Sequence, residues 1–188
     1  MSDHSIVFIG DSITELWPLN RPSHFLEQGF VCRGVGGETS GQVRGRMGSA
    51  IEETSASGVH LLCGINDIAE NEGPVSDDVI QENFDAMLTF AKSLGLKIWV
   101  GSITPSDNIP WNQHLRPKPR IQRVNELLRR SCERYGAVYI DYYSVLVTET
   151  GGLRPDCGTD GLHLNPTGYH AMEATLLEAL VGVAQRSG

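Results

Sequence analysis

Four separate places in the chain hold groups that could act together in one reaction. Gly10-Asp11-Ser12-Ile13-Thr14 offers a hydroxyl, Gly34-Val35-Gly36-Gly37-Glu38-Thr39 a glycine turn, Gly64-Ile65-Asn66-Asp67 a carboxamide, and Asp160-Gly161-Leu162-His163 an imidazole with a carboxylate three residues before it. A serine at its own pKa is a weak nucleophile and needs a neighbouring base to take its proton. An imidazole, with an unperturbed pKa of about 6.5, is available for that task near neutral pH. His163 is therefore the candidate base for Ser12, and Asp160 stands close enough to reach the other ring nitrogen and hold the tautomer. A tetrahedral intermediate also needs donors aimed at its oxygen. Gly37 can present its N–H without a side chain in the way, Asn66 can add a side-chain N–H, and the Ser12 N–H at a helix start can supply a third.

Each piece also has an ordinary use. Gly-Asp-Ser before a helix is a common turn with Ser12 as N-cap, and the two glycine segments could be tight turns. A carboxylate three residues from a histidine is common on protein surfaces. What separates these pieces from chance is their joint occurrence, in order, each after a segment that reads as a strand. That is the inventory of nucleophile, oxyanion donors, base and orienting acid.

The elements that must position them are legible as patterns. Apolar runs at Ser5–Ile9, Phe30–Cys32, Val59–Cys63, Lys97–Gly101 and Ala137–Ile140 are nearly continuous, as expected of strands covered on both faces. Between them, Asp77 to Leu94 places apolar residues at mixed three and four spacing and stops at Gly95; Ile121 to Tyr135 and Ala171 to Val183 repeat the pattern. Asn165-Pro166 suits the opening of the last helix, with Asn as cap and Pro in the first turn. Strands alternating with helices predict an α/β fold with a parallel sheet and right-handed crossovers, whose ligands bind beyond the carboxyl ends of the strands. With 188 residues, no repeat and no linker, residues 1–188 are expected to form one domain. The irregular segment Thr104–Pro119, with Pro105, Pro110, Pro117 and Pro119, is the expected rim over the site. Trp17, Ile65, Ile103, Trp111 and Leu115 are its candidate substrate-binding residues by position and apolar character. Arg116 could hold an anionic leaving group, but a solvated surface role accounts for it as well.

Composition narrows the remaining choices. A net charge of -8 and a pI near 5.2 weigh against nucleic acid or an anionic membrane surface as partner. Cys32, Cys63, Cys132 and Cys157 contain no CxxC and read as free thiols, with Cys32 and Cys63 in buried strands. No stretch approaches the roughly 18 apolar residues of a membrane span, and IVFIG after Met1-Ser-Asp-His-Ser is too short for a signal peptide, so a cytoplasmic location is the expectation. G-x-S-x-G, H-E-x-x-H and G-x-x-x-x-G-K-[ST] are all missing; the glycine turn fails the dinucleotide fingerprint because Thr39 replaces its last glycine and it follows the second strand. Of the other histidines, His170 reads as structural in the last helix and His60 as core or sheet face, while His4, His24 and His114 have no matching carboxylate motif.

At these residues the chain resembles the GDSL/SGNH hydrolases. The likeness runs from Gly10-Asp11-Ser12 to Asp160-Gly-Leu-His163-Leu-Asn-Pro-Thr-Gly-Tyr169, with Ile13 in place of the family's Leu and Cys32 where many relatives have Asn. Ser12, Gly37, Asn66 and His163 match the four letters of the SGNH name. The resemblance implies a flavodoxin-like three-layer α/β/α sandwich and a serine-dependent carboxylic ester hydrolase that needs no cofactor and no metal. It also implies an oxyanion hole of Ser12 N–H, Gly37 N–H and the Asn66 side chain, with Ser12, Asp160 and His163 as catalytic residues. Few long connections are left for an acyl tunnel, so a small-molecule ester with a short acyl or acetyl group is expected. Carbohydrate O-deacetylation and lysophospholipase or thioesterase activity on the same fold are the alternatives, followed by acyl transfer and a non-catalytic binding module.

Overall fold

Every residue of β1 (Ile6–Gly10) and β3 (Gly58–Leu62) is buried, as strands between two helical layers require. In the computed structural model, which describes residues 5–184, they lie side by side in a five-stranded, wholly parallel sheet of order β2-β1-β3-β4-β5. The others are β2 (Val31–Gly34), β4 (Lys97–Gly101) and β5 (Val138–Ile140). In register, Phe8 stands opposite Cys32 on one side and His60 on the other, and His60 opposite Trp99. The expected parallel α/β sheet is present. Burial differs at its edges: β2 is half-buried throughout, Cys32 included, and β5 is half-buried in its first two residues. Each edge strand has a neighbour on one side alone. Residues 1–4, which include His4 and open the segment expected to be too short for a signal peptide, lie outside the described residues.

One face of the sheet carries α1 (Ser12–Asn20), α2 (Pro22–Gln28), α7 (Tyr142–Leu146) and α8 (Pro166–Ala184), which pack on one another. The other carries α3 (Ser40–Thr54), α4 (Ile65–Ile68), α5 (Asp77–Ser93) and α6 (Pro117–Tyr135). Ser76 caps α5 by accepting from Val79 N–H, and Asp77 and Asp78 complement the positive end of its dipole. Asn165 Oδ1 accepts from Thr167 N–H at 2.9 Å and Gly168 N–H at 3.1 Å, the expected opening of α8. α6 begins at Pro117, ahead of the expected Ile121, because proline in the first turn lacks only an N–H that would be unpaired there. The irregular segment therefore ends at Arg116, whose guanidinium folds back on the Gln113 and Leu115 carbonyls.

Between β1, β3 and the first helical layer lies an aromatic core. Trp17 is fully buried, stacked on Tyr169 at 5.7 Å and edge-on to Phe8 and Tyr142. This corrects its place among the rim candidates: five residues along a helix turn a side chain about 140° from Ser12, into the core. Ile65 and Ile103 are corrected likewise, each being 2% exposed and part of the core beneath the site. His60 stacks on Phe8 at 4.4 Å and meets the Tyr142 hydroxyl at 2.9 Å; burial pushes its imidazole down to about 3. All four cysteines are free.

Candidate active site

The sheet order reverses direction around β1 and β3, which makes the crevice beyond their carboxyl ends the expected place for a ligand. Chain leaves β1 at Gly10 and turns directly into α1. Asp11, not Ser12, is the N-cap: its Oδ1 accepts from Ile13 N–H at 3.0 Å. Ser12 thus becomes the first helical residue, half-exposed, its N–H unpaired among the described residues. Burial raises Asp11 to about 7, opposed by the Ile13 N–H and reinforced by the neighbouring Asp67 and Glu38 carboxylates. The turn is packed tightly against its neighbours. A Cβ on Gly34, at the end of β2, would fall 2.2 Å from the Glu15 nitrogen. Thr14 Oγ1 and Asp11 N–H both donate to the Leu62 carbonyl at the end of β3.

From the opposite end of the chain, the loop before α8 brings an imidazole to this turn. Tyr169 on α8 donates its hydroxyl to the Ile13 carbonyl at 2.8 Å, tying that loop to the first turn of α1. Ser12 Oγ lies 3.3 Å from His163 Nε2, and His163 Nδ1 lies 2.8 Å from Asp160 Oδ2. The other Asp160 oxygen accepts from the N–H groups of Leu162 at 3.0 Å and His163 at 2.7 Å. Partial burial would raise the Asp160 carboxyl, but the hydrogen bonds from the His163 ring and the two backbone N–H groups outweigh it and hold the group below its ordinary 3.8. An ionised carboxylate only accepts, so Nδ1 carries a hydrogen, and the neutral ring then presents the Nε2 lone pair to Ser12.

A third group of donors closes the arrangement. Gly37 has φ +82°, the left-handed region where a side chain is strained, and its N–H has no partner among the described residues. Asn66, in the α4 turn after β3, donates Nδ2 to the Glu38 carbonyl at 2.9 Å, which leaves its second amide hydrogen unassigned. Asp67 pins this turn to the start of α3, accepting from Ser40 N–H at 2.7 Å and Ser40 Oγ at 2.6 Å. Burial pushes Asp67 up, and the two Ser40 bonds pull it back in part. Arg46 spans both turns: it donates Nε to Glu38 at 2.6 Å and Nη2 to the Gly10 carbonyl at 3.0 Å.

Of the rim candidates, Trp111 and Leu115 remain accessible. Trp111 is 51% exposed, its ring 6.3 Å from the His163 ring, and Leu115 is half-buried against the core. His114 is exposed on the same loop, and His170 bonds on the surface with Glu173 and Arg21. Sequence reasoning missed Asn71, whose side chain touches Asn66, Gly37 and Trp111. It also missed Asn125, which clamps Ile103 through both N–H and C=O at 2.8 and 2.9 Å. Neither carried a motif; each is one polar residue in a turn or a helix. Among the described residues no group of three or more His, Cys, Asp or Glu is placed to hold a metal, and no helix is long and apolar enough to cross a membrane.

The GDSL-like Lipase/Acylhydrolase family model matches residues 8–171, which spans all the groups just described. Among solved structures, a candidate acylhydrolase from Bacteroides fragilis NCTC 9343 is 30% identical, with a TM-score of 0.93 over 97% of this chain and 88% of its own. A GDSL-like lipase from Bacteroides thetaiotaomicron VPI-5482 is also 30% identical, with a TM-score of 0.92 over 96% of this chain and 89% of its own. An acetyl xylan esterase shares the fold at 17% identity, with a TM-score of 0.76 over 93% of this chain and 98% of its own. Among curated proteins none matches significantly.

Proposed function

The chain belongs to the GDSL-like lipase/acylhydrolase family, and on that premise we propose that it hydrolyses small-molecule carboxylic esters through an acyl-Ser12 intermediate. The observation that carries this reading is the line Ser12 Oγ, His163 Nε2, His163 Nδ1, Asp160 Oδ2, with steps of 3.3 and 2.8 Å across the rings and carboxylate. As Oγ attacks the ester carbonyl, its proton passes to Nε2, and Asp160 stabilises the imidazolium that forms. The Ser12 and Gly37 N–H groups and the second Asn66 amide hydrogen receive the developing oxyanion. Collapse of the tetrahedral intermediate breaks the ester C–O bond, and His163 hands its proton to the departing alcohol. Water, deprotonated by the same Nε2, then releases the acid. No step calls on a cofactor.

A short acyl group fits best, acetyl first among them. Ile65 and Ile103 are sealed in the core, so Trp111 and Leu115 are the accessible apolar surface of the rim candidates, too little for a long chain. Trp111 also favours a second reading, deacetylation of an acetylated sugar: a half-exposed indole beside His163 is a stacking surface for a sugar ring on the leaving-group side. Hydrolysis of p-nitrophenyl acetate, butyrate and octanoate by wild type and Ser12→Ala tests the proposal. Expected are turnover that declines with chain length and its loss in the variant with the fold intact. Undiminished turnover by Ser12→Ala would exclude the acyl-serine route.

A further inference from the structure

A carboxamide can present either its oxygen or its nitrogen in nearly the same shape, so an Asn works as an oxyanion donor only if something else decides which way round it sits. Around Asn66 that decision can be traced to a fixed end. The indole Nε1–H of Trp111 is a donor and nothing else, and it lies 2.8 Å from the far end of Asn71. That end of Asn71 is therefore its oxygen. Asn71 Nδ2 then faces inward and donates to Asn66 Oδ1 at 3.1 Å and to the Gly37 carbonyl at 3.1 Å. With its oxygen occupied, Asn66 directs Nδ2 to the Glu38 carbonyl at 2.9 Å and keeps one N–H for the site.

On the reading of Gly37 and Asn66 as oxyanion donors, we propose that Asn71 is a positioning residue that sets the polarity and direction of both, with Trp111 as the group that sets Asn71. The backbone supports a role for the side chain beyond closing the turn. Asn71 N–H already bonds to the Asn66 carbonyl at 3.1 Å, so the turn is closed without the carboxamide. Glu70, just before it, has φ +61°, a left-handed conformation that a residue with a side chain adopts only at a cost. Strain of this kind persists where the surroundings demand it, commonly next to a functional group. Here it turns Asn71 back over Asn66.

Two substitutions separate positioning from plain structure. Asn71→Asp is nearly isosteric and still accepts from Trp111, but it has no hydrogen to give and sets an acceptor against Asn66 Oδ1 and the Gly37 carbonyl. Trp111→Phe keeps a large ring over His163 and removes only the donor that orients Asn71. With p-nitrophenyl acetate, Asn71→Asp is expected to lower kcat by about 10²-fold, the scale of a misplaced or missing oxyanion donor. Trp111→Phe is expected to lower kcat by about tenfold, a fraction of that scale. In both, KM stays within about twofold of wild type, since an interaction made only in the transition state is what is lost. Ser12→Ala is measured beside them. Wild-type kcat in both variants, or a change in Trp111→Phe confined to KM, overturns the positioning role while the acyl-serine reading stands if Ser12→Ala is inactive. Full activity in Ser12→Ala removes both. Trp111 is half-exposed, so its replacement by Phe keeps the test available should Asn71→Asp fail to fold.

Discussion

Asp160 illustrates how much one side chain settles at the scale of a residue. Oδ2 meets His163 Nδ1 at 2.8 Å while Oδ1 accepts the Leu162 and His163 N–H groups, so the same carboxylate fixes the loop that carries the histidine and the tautomer of its ring. Asn in its place keeps the shape but brings a donor into a position surrounded by three donors. If the amide turns its oxygen to the two backbone N–H groups, its NH2 faces Nδ1, which must then give up its proton and leave it on Nε2, toward Ser12. Asp160→Asn is accordingly expected to lower kcat by about 10⁴-fold, the effect of the wrong tautomer in a serine triad, without a comparable change in KM. Steady-state ester hydrolysis reads this directly, and a loss below about tenfold would mean that Asp160 has only a structural part. Asp160 also bears on acid stability. Its folded pKa lies below 3.8, so its contribution is present above that value and disappears as pH falls through the folded pKa.

At the scale of elements, the site depends on how closely α1 is set against the sheet. Gly34 ends β2 directly beneath Glu15, and a Cβ there would lie 2.2 Å from the Glu15 nitrogen and 2.6 Å from its Cα, both backbone atoms of the turn that carries Ser12. Overpacking of this kind costs about 1–3 kcal/mol or more. Gly34→Ala is therefore expected to lower Tm by roughly 5 °C or more, given about 2–4 °C per kcal/mol at this size, and to reduce kcat as Ser12 moves from His163. Calorimetry and ester hydrolysis on the same sample check both, and wild-type values of both would place α1 further from β2. The elements the sequence revealed were those whose burial writes a pattern, five apolar runs for the strands and amphipathic periods for α5 and α6, while α8, which leaves Leu177 and Val181 exposed, was marked by its Asn165-Pro166 opening. α1 and α3 left no such mark, because Pro18 stands inside α1 and Gly41, Gly45 and Gly48 inside α3. Asp160 and His163 stand on the loop between α7 and α8, where their three-residue spacing and the Asn165-Pro166 helix opening marked them. Ser12, Gly37 and Asn66 were legible because each follows a strand, and a parallel sheet delivers strand ends to one edge. Trp17 was misread for the same reason: place after a strand does not say which way a helical side chain points. Asn71 and Asn125 were hidden because a hydrogen bond between distant turns leaves no local spacing.

For the whole molecule, two buried titratable groups, one on β3 and one at the cap of α1, pull stability in opposite directions with pH. His60, at the centre of β3, is lowered from 6.5 to about 3, so it stays neutral in the folded protein while its unfolded counterpart takes up a proton below 6.5. Unfolding then binds a proton, and stability falls as pH drops from 6.5 toward 3, by at most about 1.4 kcal/mol per pH unit. Asp11, at the end of β1, is raised from 3.8 to about 7. Between those values the folded protein holds a proton that the unfolded chain has released, and stability rises as pH drops. Asp67, also raised by burial, acts in the same sense as Asp11. Across pH 4.5–6.5, where the lowered carboxylates Asp77, Asp160 and Glu173 are ionised, His60 opposes Asp11, and His24, lowered by burial, opposes Asp67. Wild-type stability from urea unfolding is expected to be close to flat there. Asp11→Asn keeps the cap of α1 and removes one side of the balance, so its stability should fall on acidification with a slope approaching about 1.4 kcal/mol per pH unit. His60→Phe removes the other side and should gain stability on acidification, whatever constant loss it suffers from leaving Tyr142 without its partner. Slopes for both variants that parallel wild type would mean that neither group changes protonation on folding in this range, and the acid sensitivity of the protein would then have to come from its surface carboxylates.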